Sequence, residues 1–119
     1  MRFAIVSDLA EFTTCDCSLC KMRGAVMVKV PEANLRIVSG QGALTLYQWN
    51  MRIARHYFCG DCGIYVFHNK RAAPDHFGVN VRCLSEVSLD DAPLRATDGK
   101  DMTVAAESEP QAIWPGPRV

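Results

Sequence analysis

Two short cysteine-rich stretches constrain the fold of this chain more than any other feature of its sequence. Five of the six cysteines lie in them, Cys15, Cys17 and Cys20 in the first and Cys59 and Cys62 in the second. Thiols one or two residues apart can point at a common centre, whereas such close neighbours are poorly placed to form disulfides with one another. Both stretches therefore indicate metal binding. Zinc is the leading candidate, because clustered thiolates select soft metals and commonly hold zinc in four-coordinate sites.

The first cluster supplies three thiolates, which leaves one position of a tetrahedral zinc ion open. An open position admits water or an incoming ligand, as at catalytic zinc sites. Three thiolates donate much electron density to the zinc ion, so the ion lowers the pKa of bound water less than a three-histidine site does. An incoming thiol would still be held as thiolate. The three-thiolate pattern therefore favours a reaction at the sulfur atom of a bound thiol over hydrolysis. The alternative is that a fourth cysteine closes the site and that zinc only links two loops.

Length and charge exclude several classes of protein. The 119 residues predict one domain over 1–119, with an irregular tail from about residue 90. Thirteen basic and 13 acidic residues give a formal net charge of zero, so we expect no nucleic-acid partner. The chain has no apolar run of the ~20 residues that cross a bilayer and no signal-peptide core at its start. We therefore expect a cytoplasmic protein without a membrane partner, whose reduced thiols favour metal over disulfides.

Alternation of apolar and polar residues predicts a fold made mainly of antiparallel strands. The predicted strands are 3–7, 25–30, 35–38, 44–49, 53–58, 64–68 and 77–84. The first cluster is predicted to occupy a tight loop, and residues 59–63 are predicted to form a knuckle between two strands. Cys83 stands alone on the apolar face of the last predicted strand, which indicates a buried core thiol rather than a metal ligand.

Histidines and cationic residues are weaker candidates. His56, His68 and His76 could each supply a fourth metal ligand or a general base. None is spaced as a ligand pair with another histidine or a glutamate, so structural roles are the preferred interpretation. His56 and His68 flank the second cluster and are the better candidates. Cations could bind the carboxylates of a small acidic substrate, although ordinary surface charge is the preferred interpretation. They are Arg52, Arg55, Lys70, Arg71 and Arg82.

The two cysteine motifs, taken together, resemble those of a known family. The segments CDCSLCKMRGA at 15–25 and YFCGDCG at 57–63, in this order, are similar to those of the glutathione-dependent formaldehyde-activating enzymes, which include the centromere protein V relatives. The resemblance extends from about residue 2 to residue 84. It implies an all-β fold of several coiled antiparallel sheets in a single domain, similar to the zinc protein that assists nucleotide exchange on Rab GTPases.

The resemblance also implies two zinc sites. In the family, the first motif holds the catalytic zinc, here through Cys15, Cys17 and Cys20. The second motif, here Cys59 and Cys62, holds half of a structural zinc site. Family members usually carry the other half in an upstream C-x-C-G segment, which this sequence does not contain, so it resembles an N-terminally short member. We therefore expect no complete four-cysteine site around Cys59 and Cys62.

The function implied by the resemblance is that of a zinc-dependent carbon-sulfur lyase. Such an enzyme acts on the adduct of a thiol such as glutathione with a small aldehyde such as formaldehyde, with Cys15, Cys17 and Cys20 as its catalytic residues. The alternative is a non-catalytic zinc-binding module for protein interaction, since one fold serves several functions. An open zinc vertex in a cleft would favour the enzyme, and a closed fourth ligand would favour the module. Whether the chain forms a homodimer is left open.

Overall fold

The computed structural model describes residues 1–15, 18–48, 54–70 and 73–97, which form two β-sheets and one α-helix. The helix, α1, spans Ser18–Arg23. The strands in chain order are β1 Arg2–Ile5, β2 Phe12–Cys15, β3 Met27–Pro31, β4 Leu35–Ser39, β5 Leu44–Tyr47, β6 Arg55–Cys59, β7 Tyr65–Asn69, β8 His76–Asn80 and β9 Leu94–Thr97. The predicted all-β fold is confirmed.

The strands pair in a small and a large sheet. The small sheet joins β1 to β4, and the large sheet has seven strands in the order β5-β6-β7-β8-β3-β2-β9. Neighbouring strands are antiparallel except β2 and β9, which are parallel. The large sheet therefore brings together segments far apart in sequence, with the end of β2 next to β9 on one side and β3 on the other.

One face of the large sheet packs against the small sheet and forms the core. Val28, Val79 and Phe67 lie side by side across β3, β8 and β7 and are at most 2% exposed. Leu35 and Ile37 of β4 pack against this row from the small sheet. Burying one such side chain completely stabilises the fold by about 1.5–3 kcal/mol before entropy is counted. The alternating pattern of the strands thus determines which face is buried.

The opposite face of the large sheet carries a row of polar positions, and we call it the polar face. Tyr47, His56, His68, Gly78 and Lys29 are successive register partners across β5, β6, β7, β8 and β3. Directly opposed residues on antiparallel strands project from the same side of a sheet. The polar face therefore presents side chains from five strands in one line, turned away from the core.

A β-bulge in β7 brings one further side chain to the polar face. Tyr57 pairs with Phe67, but the next residue, Phe58, pairs with Tyr65, so Val66 is an extra residue in β7. A bulge shifts the alternation of the strand that contains it. Val66 and Phe67 are consequently both buried. Tyr65 shares the polar face with the histidines, although simple alternation would have placed it on the core side.

The carbonyl group of Tyr65, at the bulge, has two donors from the segment after β8. Asn80 Nδ2 donates to it at 2.8 Å and the Cys83 thiol donates at 3.5 Å. The prediction of one strand over 77–84 with Cys83 in the core was wrong. Strand β8 ends at Asn80, whose side chain accepts from the Arg82 N–H and starts a 3-10 turn over Val81–Cys83. Cys83 is accordingly only half-buried.

Helix α1 begins three residues after β2 and has only six residues. Gly24 ends it with a positive φ of 60°, and its N–H donates to the carbonyl of Cys20 at 3.0 Å. This left-handed position favours glycine, which has no Cβ to clash. The expectation of a tight loop around the whole first cluster was therefore wrong for Cys20. No helix within the described ranges is long and apolar enough to cross a membrane.

Candidate functional site

The first cysteine cluster lies where β2 meets α1. Cys15 is the last residue of β2 and Cys20 lies inside α1, and both are half-buried. Burial lowers the pKa of Lys70, Lys29 lowers it further, and the nearby Cys15 and Cys20 thiols act in the opposite direction. Both thiols therefore lie close to the same ammonium group. Cys17 falls outside the described residues, so its convergence on these thiols stays a prediction.

The cation that interacts with these thiols, Lys70, is itself influenced by cations from two other strands. Lys70 directly follows β7, Lys29 lies on β3 and Arg95 lies on β9, and the charges of Lys29 and Arg95 both act on Lys70. Arg95 is paired with Glu11, because its Nε and Nη2 atoms donate to Glu11 Oε1 at 3.0 Å each. Lys70 is thus the cation that interacts directly with Cys15 and Cys20, and Lys29 acts on Lys70. Of the predicted carboxylate-binding cations, Lys70 lies beside the first cluster, whereas Arg52 and Arg71 are outside the described residues.

The second cluster forms a compact turn between β6 and β7, as the sequence predicts. The Cys59 sulfur accepts hydrogen bonds from the backbone N–H groups of Cys62 and Asp61 and from the Cys62 thiol, which lower the pKa of Cys59. Gly63 has a φ of 76° and donates from its N–H to the Cys59 carbonyl at 2.7 Å. Backbone N–H groups directed at sulfur are the usual second shell of thiolate metal sites.

The donor chemistry of both clusters fits a soft metal, but the described thiols come as pairs. In the described part of the chain no three histidine, cysteine or acidic side chains are grouped as a metal site. The first pair, Cys15 and Cys20, becomes a three-thiolate set only with Cys17. The second pair, Cys59 and Cys62, has its backbone donors in place and would need ligands from elsewhere to complete a four-coordinate site.

The two better histidine candidates belong to a hydrogen-bonded cluster on the polar face. His56 and His68 are register partners with ring centroids 5.1 Å apart. The Tyr65 hydroxyl is 2.6 Å from His68 Nδ1 and 3.3 Å from His56 Nδ1. Arg23, from the last turn of α1, places Nη1 3.0 Å from His56 Nδ1. This contact shows that α1 lies against the polar face. His76 is elsewhere, paired with the exposed Asp75 at 2.8 Å.

Both histidines of this cluster are held in the neutral form. Burial, together with the Arg23 charge, lowers the pKa of His56 from 6.5 to about 4. Burial is also the main reason that the pKa of His68 is well below its ordinary value, and the charges of Lys70 and Arg23 add to it. At neutral pH the cluster thus contains two neutral imidazoles and one guanidinium.

Sequence analysis missed Arg23 and Tyr65. Arg23 follows Cys20 by three residues, which on a helix places both side chains on neighbouring positions of one face. That spacing could have identified Arg23 if a helix had been predicted. Tyr65 gives no such signal, because its orientation depends on a bulge that only strand pairing determines.

Comparisons with known proteins agree with this architecture. The sequence profile of the family described as glutathione-dependent formaldehyde-activating enzyme matches residues 1–100. A crystal structure of a protein from Rhodobacter sphaeroides has a similar fold, with a TM-score of 0.70 and 39% sequence identity. That match covers 78% of this chain and 90% of the other. The region matched by the family profile, residues 1–100, includes both cysteine clusters and the strands that carry the polar face.

Proposed function

Because the chain belongs to the glutathione-dependent formaldehyde-activating enzyme family, we propose that it is a zinc-dependent carbon-sulfur lyase. Its substrate would be the adduct of a thiol such as glutathione with a small aldehyde such as formaldehyde. The reaction joins or separates the thiol sulfur and the carbonyl carbon.

One observation carries the proposal: Cys15, at the end of β2, and Cys20, in α1, come from different elements and both act on the pKa of the same Lys70 ammonium group. Burial penalises the charged form of a lysine, so a partly buried ammonium group is expected near groups that can carry negative charge. Clustered cysteine sulfurs are the donor type that soft metals prefer. The third thiol of the motif, Cys17, is proposed to join them.

The chemistry divides between the bound ion and this chain's own side chains. Zinc held by Cys15, Cys17 and Cys20 would favour the thiolate form of an incoming thiol at neutral pH. Lys70 provides positive charge where negative charge develops on the aldehyde oxygen as the carbon-sulfur bond forms and the carbonyl π-bond opens. That oxygen then takes a proton, which replaces the one lost by the thiol. Lyase action is the reverse sequence of the same bond changes.

The remaining parts of the proposal concern the second cluster and the cellular setting. Cys59 and Cys62 are proposed as two of the ligands of a second zinc, whose remaining ligands would have to come from outside this turn, because the turn already directs backbone donors at sulfur. We propose a cytoplasmic location, where thiols stay reduced and are abundant. The partners would be small molecules, a thiol and an aldehyde, with no nucleic acid or membrane.

The proposal can be tested by measuring adduct exchange and metal content together. Formaldehyde and glutathione combine without help, so the relevant quantity is the protein-dependent increase in exchange rate, measured by magnetisation-transfer NMR. We expect the wild type to increase the rate, and Cys17→Ser to abolish the increase and to remove one zinc per chain. Losing only a hydrogen-bond partner of a metal ligand commonly lowers metal affinity by about 10- to 100-fold, so losing the ligand itself should lower it at least as much.

Cys83→Ser is the matched control for the first cluster, because it makes the same substitution at a half-buried thiol that lies near Cys62 of the second cluster instead. It should keep the exchange rate of the wild type and the zinc that Cys17→Ser removes. A Cys17→Ser protein with full zinc content and an unchanged rate would contradict the proposal. A wild type that binds zinc firmly but adds nothing to the spontaneous rate would favour the zinc-binding interaction module.

A further inference from the structure

Arg23 is held on the polar face by side chains that do not neutralise it. Its guanidinium carbon lies 4.1 Å from the centroid of the Tyr65 ring and 5.9 Å from that of the Tyr47 ring. Its Nη1 atom lies 3.0 Å from His56 Nδ1. Stacking on an aromatic ring and a hydrogen bond orient the guanidinium plane, and the hydrogen bonds that the described residues make with it use only part of its five N–H donors.

The direction of the hydrogen bonds follows from which groups can donate. Arginine only donates, so His56 Nδ1 is an acceptor and this ring carries its proton on Nε2. The single lone pair of His56 Nδ1 is then occupied, and the Tyr65 hydroxyl donates its proton to His68 Nδ1, its closer neighbour at 2.6 Å. Every contact of Arg23 within the described ranges is therefore with a neutral group, and none of them neutralises its charge.

No carboxylate in the described ranges is within ion-pair distance of Arg23. Arg95 shows the contrast, because two of its nitrogen atoms donate to Glu11. The charges that act on this cluster are also positive, since Arg23 and Lys70 both lower the pKa of His68. A guanidinium whose contacts within the described ranges are all with neutral groups can bind an anion through charge-assisted hydrogen bonds. The cluster is thus prepared for a negatively charged ligand.

The location of Arg23 indicates which anion that is. Arg23 and Cys20 are one turn apart on α1, which places their Cβ atoms roughly 5–6 Å apart. A ligand whose sulfur lies at the cysteine cluster would extend a short chain towards the guanidinium. We propose that Arg23 binds a carboxylate group of the thiol substrate and makes the site selective for carboxylate-bearing thiols. This inference rests on the proposed function, because it assumes that a thiol binds at the cysteines.

The test compares one ligand with and without its carboxylates, in the absence of aldehyde. Titration calorimetry of the zinc-loaded protein with glutathione and with its diethyl ester gives two dissociation constants for each variant. Arg23→Met removes the charge and keeps an unbranched side chain. We expect it to weaken glutathione binding by about 10- to 100-fold, the usual range for a lost charge-assisted hydrogen bond, and to leave binding of the diethyl ester unchanged. Arg23→Lys should recover part of the lost affinity.

Arg36→Met is the control, because Arg36 is exposed on β4, in the other sheet. It should bind both ligands as the wild type does. Unchanged glutathione binding by Arg23→Met, an equal loss for both ligands, or a wild type that does not prefer glutathione to the ester would each overturn the inference. The test also separates this inference from the proposed function. A wild type that prefers glutathione to the diethyl ester but does not accelerate adduct exchange would support the carboxylate site and contradict the lyase activity.

Discussion

The two cysteine clusters differ in where their surroundings come from. Around Cys59 the hydrogen-bond donors belong to Asp61 and Cys62, within the same turn. The charged neighbour of Cys15 and Cys20 comes from a distant part of the chain, because Lys70 follows β7, and Lys29 on β3 acts on Lys70 in turn. One cluster is therefore built by local backbone geometry, and the other is assembled by the large sheet.

This difference determines what each cluster can do. A local turn keeps its geometry as long as its two strands pair, which suits a structural role. A site assembled from several strands can place cations and a hydrogen-bonded cluster beside thiols, and it depends on the packing of the whole polar face. Substitutions on the polar face should consequently alter ligand binding, whereas substitutions in the turn should alter only stability.

The largest expected effect comes from acid, which acts on the buried histidines of the polar face. His56 has a pKa of about 4 in the fold and 6.5 ordinarily, so between these values the unfolded chain binds a proton that the folded chain does not. The contribution of neutral His56 to the free energy of unfolding is fully present above pH 6.5. It is lost as the pH falls towards 4, and the free energy of unfolding then decreases by about 3 kcal/mol. Urea unfolding at about pH 7 and about pH 4.5 measures this loss.

His56→Gln separates the contribution of this residue from that of the other titrating groups. Glutamine retains an acceptor for Arg23 but does not titrate, so the decrease in unfolding free energy between the two pH values should be smaller than in the wild type. His68 shifts in the same direction and accounts for part of the decrease that remains. An identical decrease in both proteins would mean that His56 is not held neutral by the fold.

Gly78→Ala should have the next largest effect. A Cβ at Gly78 would lie 2.5 Å from Cε1 and 3.1 Å from Nδ1 of His68. The ring would have to move and would lose its hydrogen bond with Tyr65, at a cost of about 1–3 kcal/mol. We expect lower stability in urea and weaker glutathione binding. Gly42→Ala is the control, since a Cβ there meets no atom within 4 Å. Equal effects of both substitutions would argue against a specific contact with His68.

Gly63→Ala should have the smallest effect and should be confined to the turn. A Cβ at Gly63 meets nothing within 4 Å, but its φ of 76° strains any other residue by roughly 1–2 kcal/mol. Unfolding in urea should show this loss, while the dissociation constant of glutathione should stay at the wild-type value. If Gly63→Ala weakened glutathione binding as much as Gly78→Ala, the two clusters would not be independent, and the comparison would fail.

Much of the fold could be predicted from the sequence. Period-two alternation predicted the strands at 25–30, 44–49 and 77–84, which contain most of β3, all of β5 and most of β8. The strands that became β4 and β7 were predicted from the turns that precede them. The turn at 59–63 was predicted because cysteine and glycine at these spacings have strong local preferences. The sequence did not reveal helix α1, which is too short to show a helical period.

The sequence by itself determined the two thiol clusters, the all-β fold and the apolar faces of the strands, since these depend on residue type and on spacing along the chain. Only the tertiary structure decided that Lys70 lies beside Cys15 and Cys20 and that Tyr65 turns to the polar face with Arg23 stacked upon it. Strand order, a one-residue bulge and the position of α1 produce these contacts. They arise from pairing between segments far apart in sequence, where small differences in register decide which side chains meet.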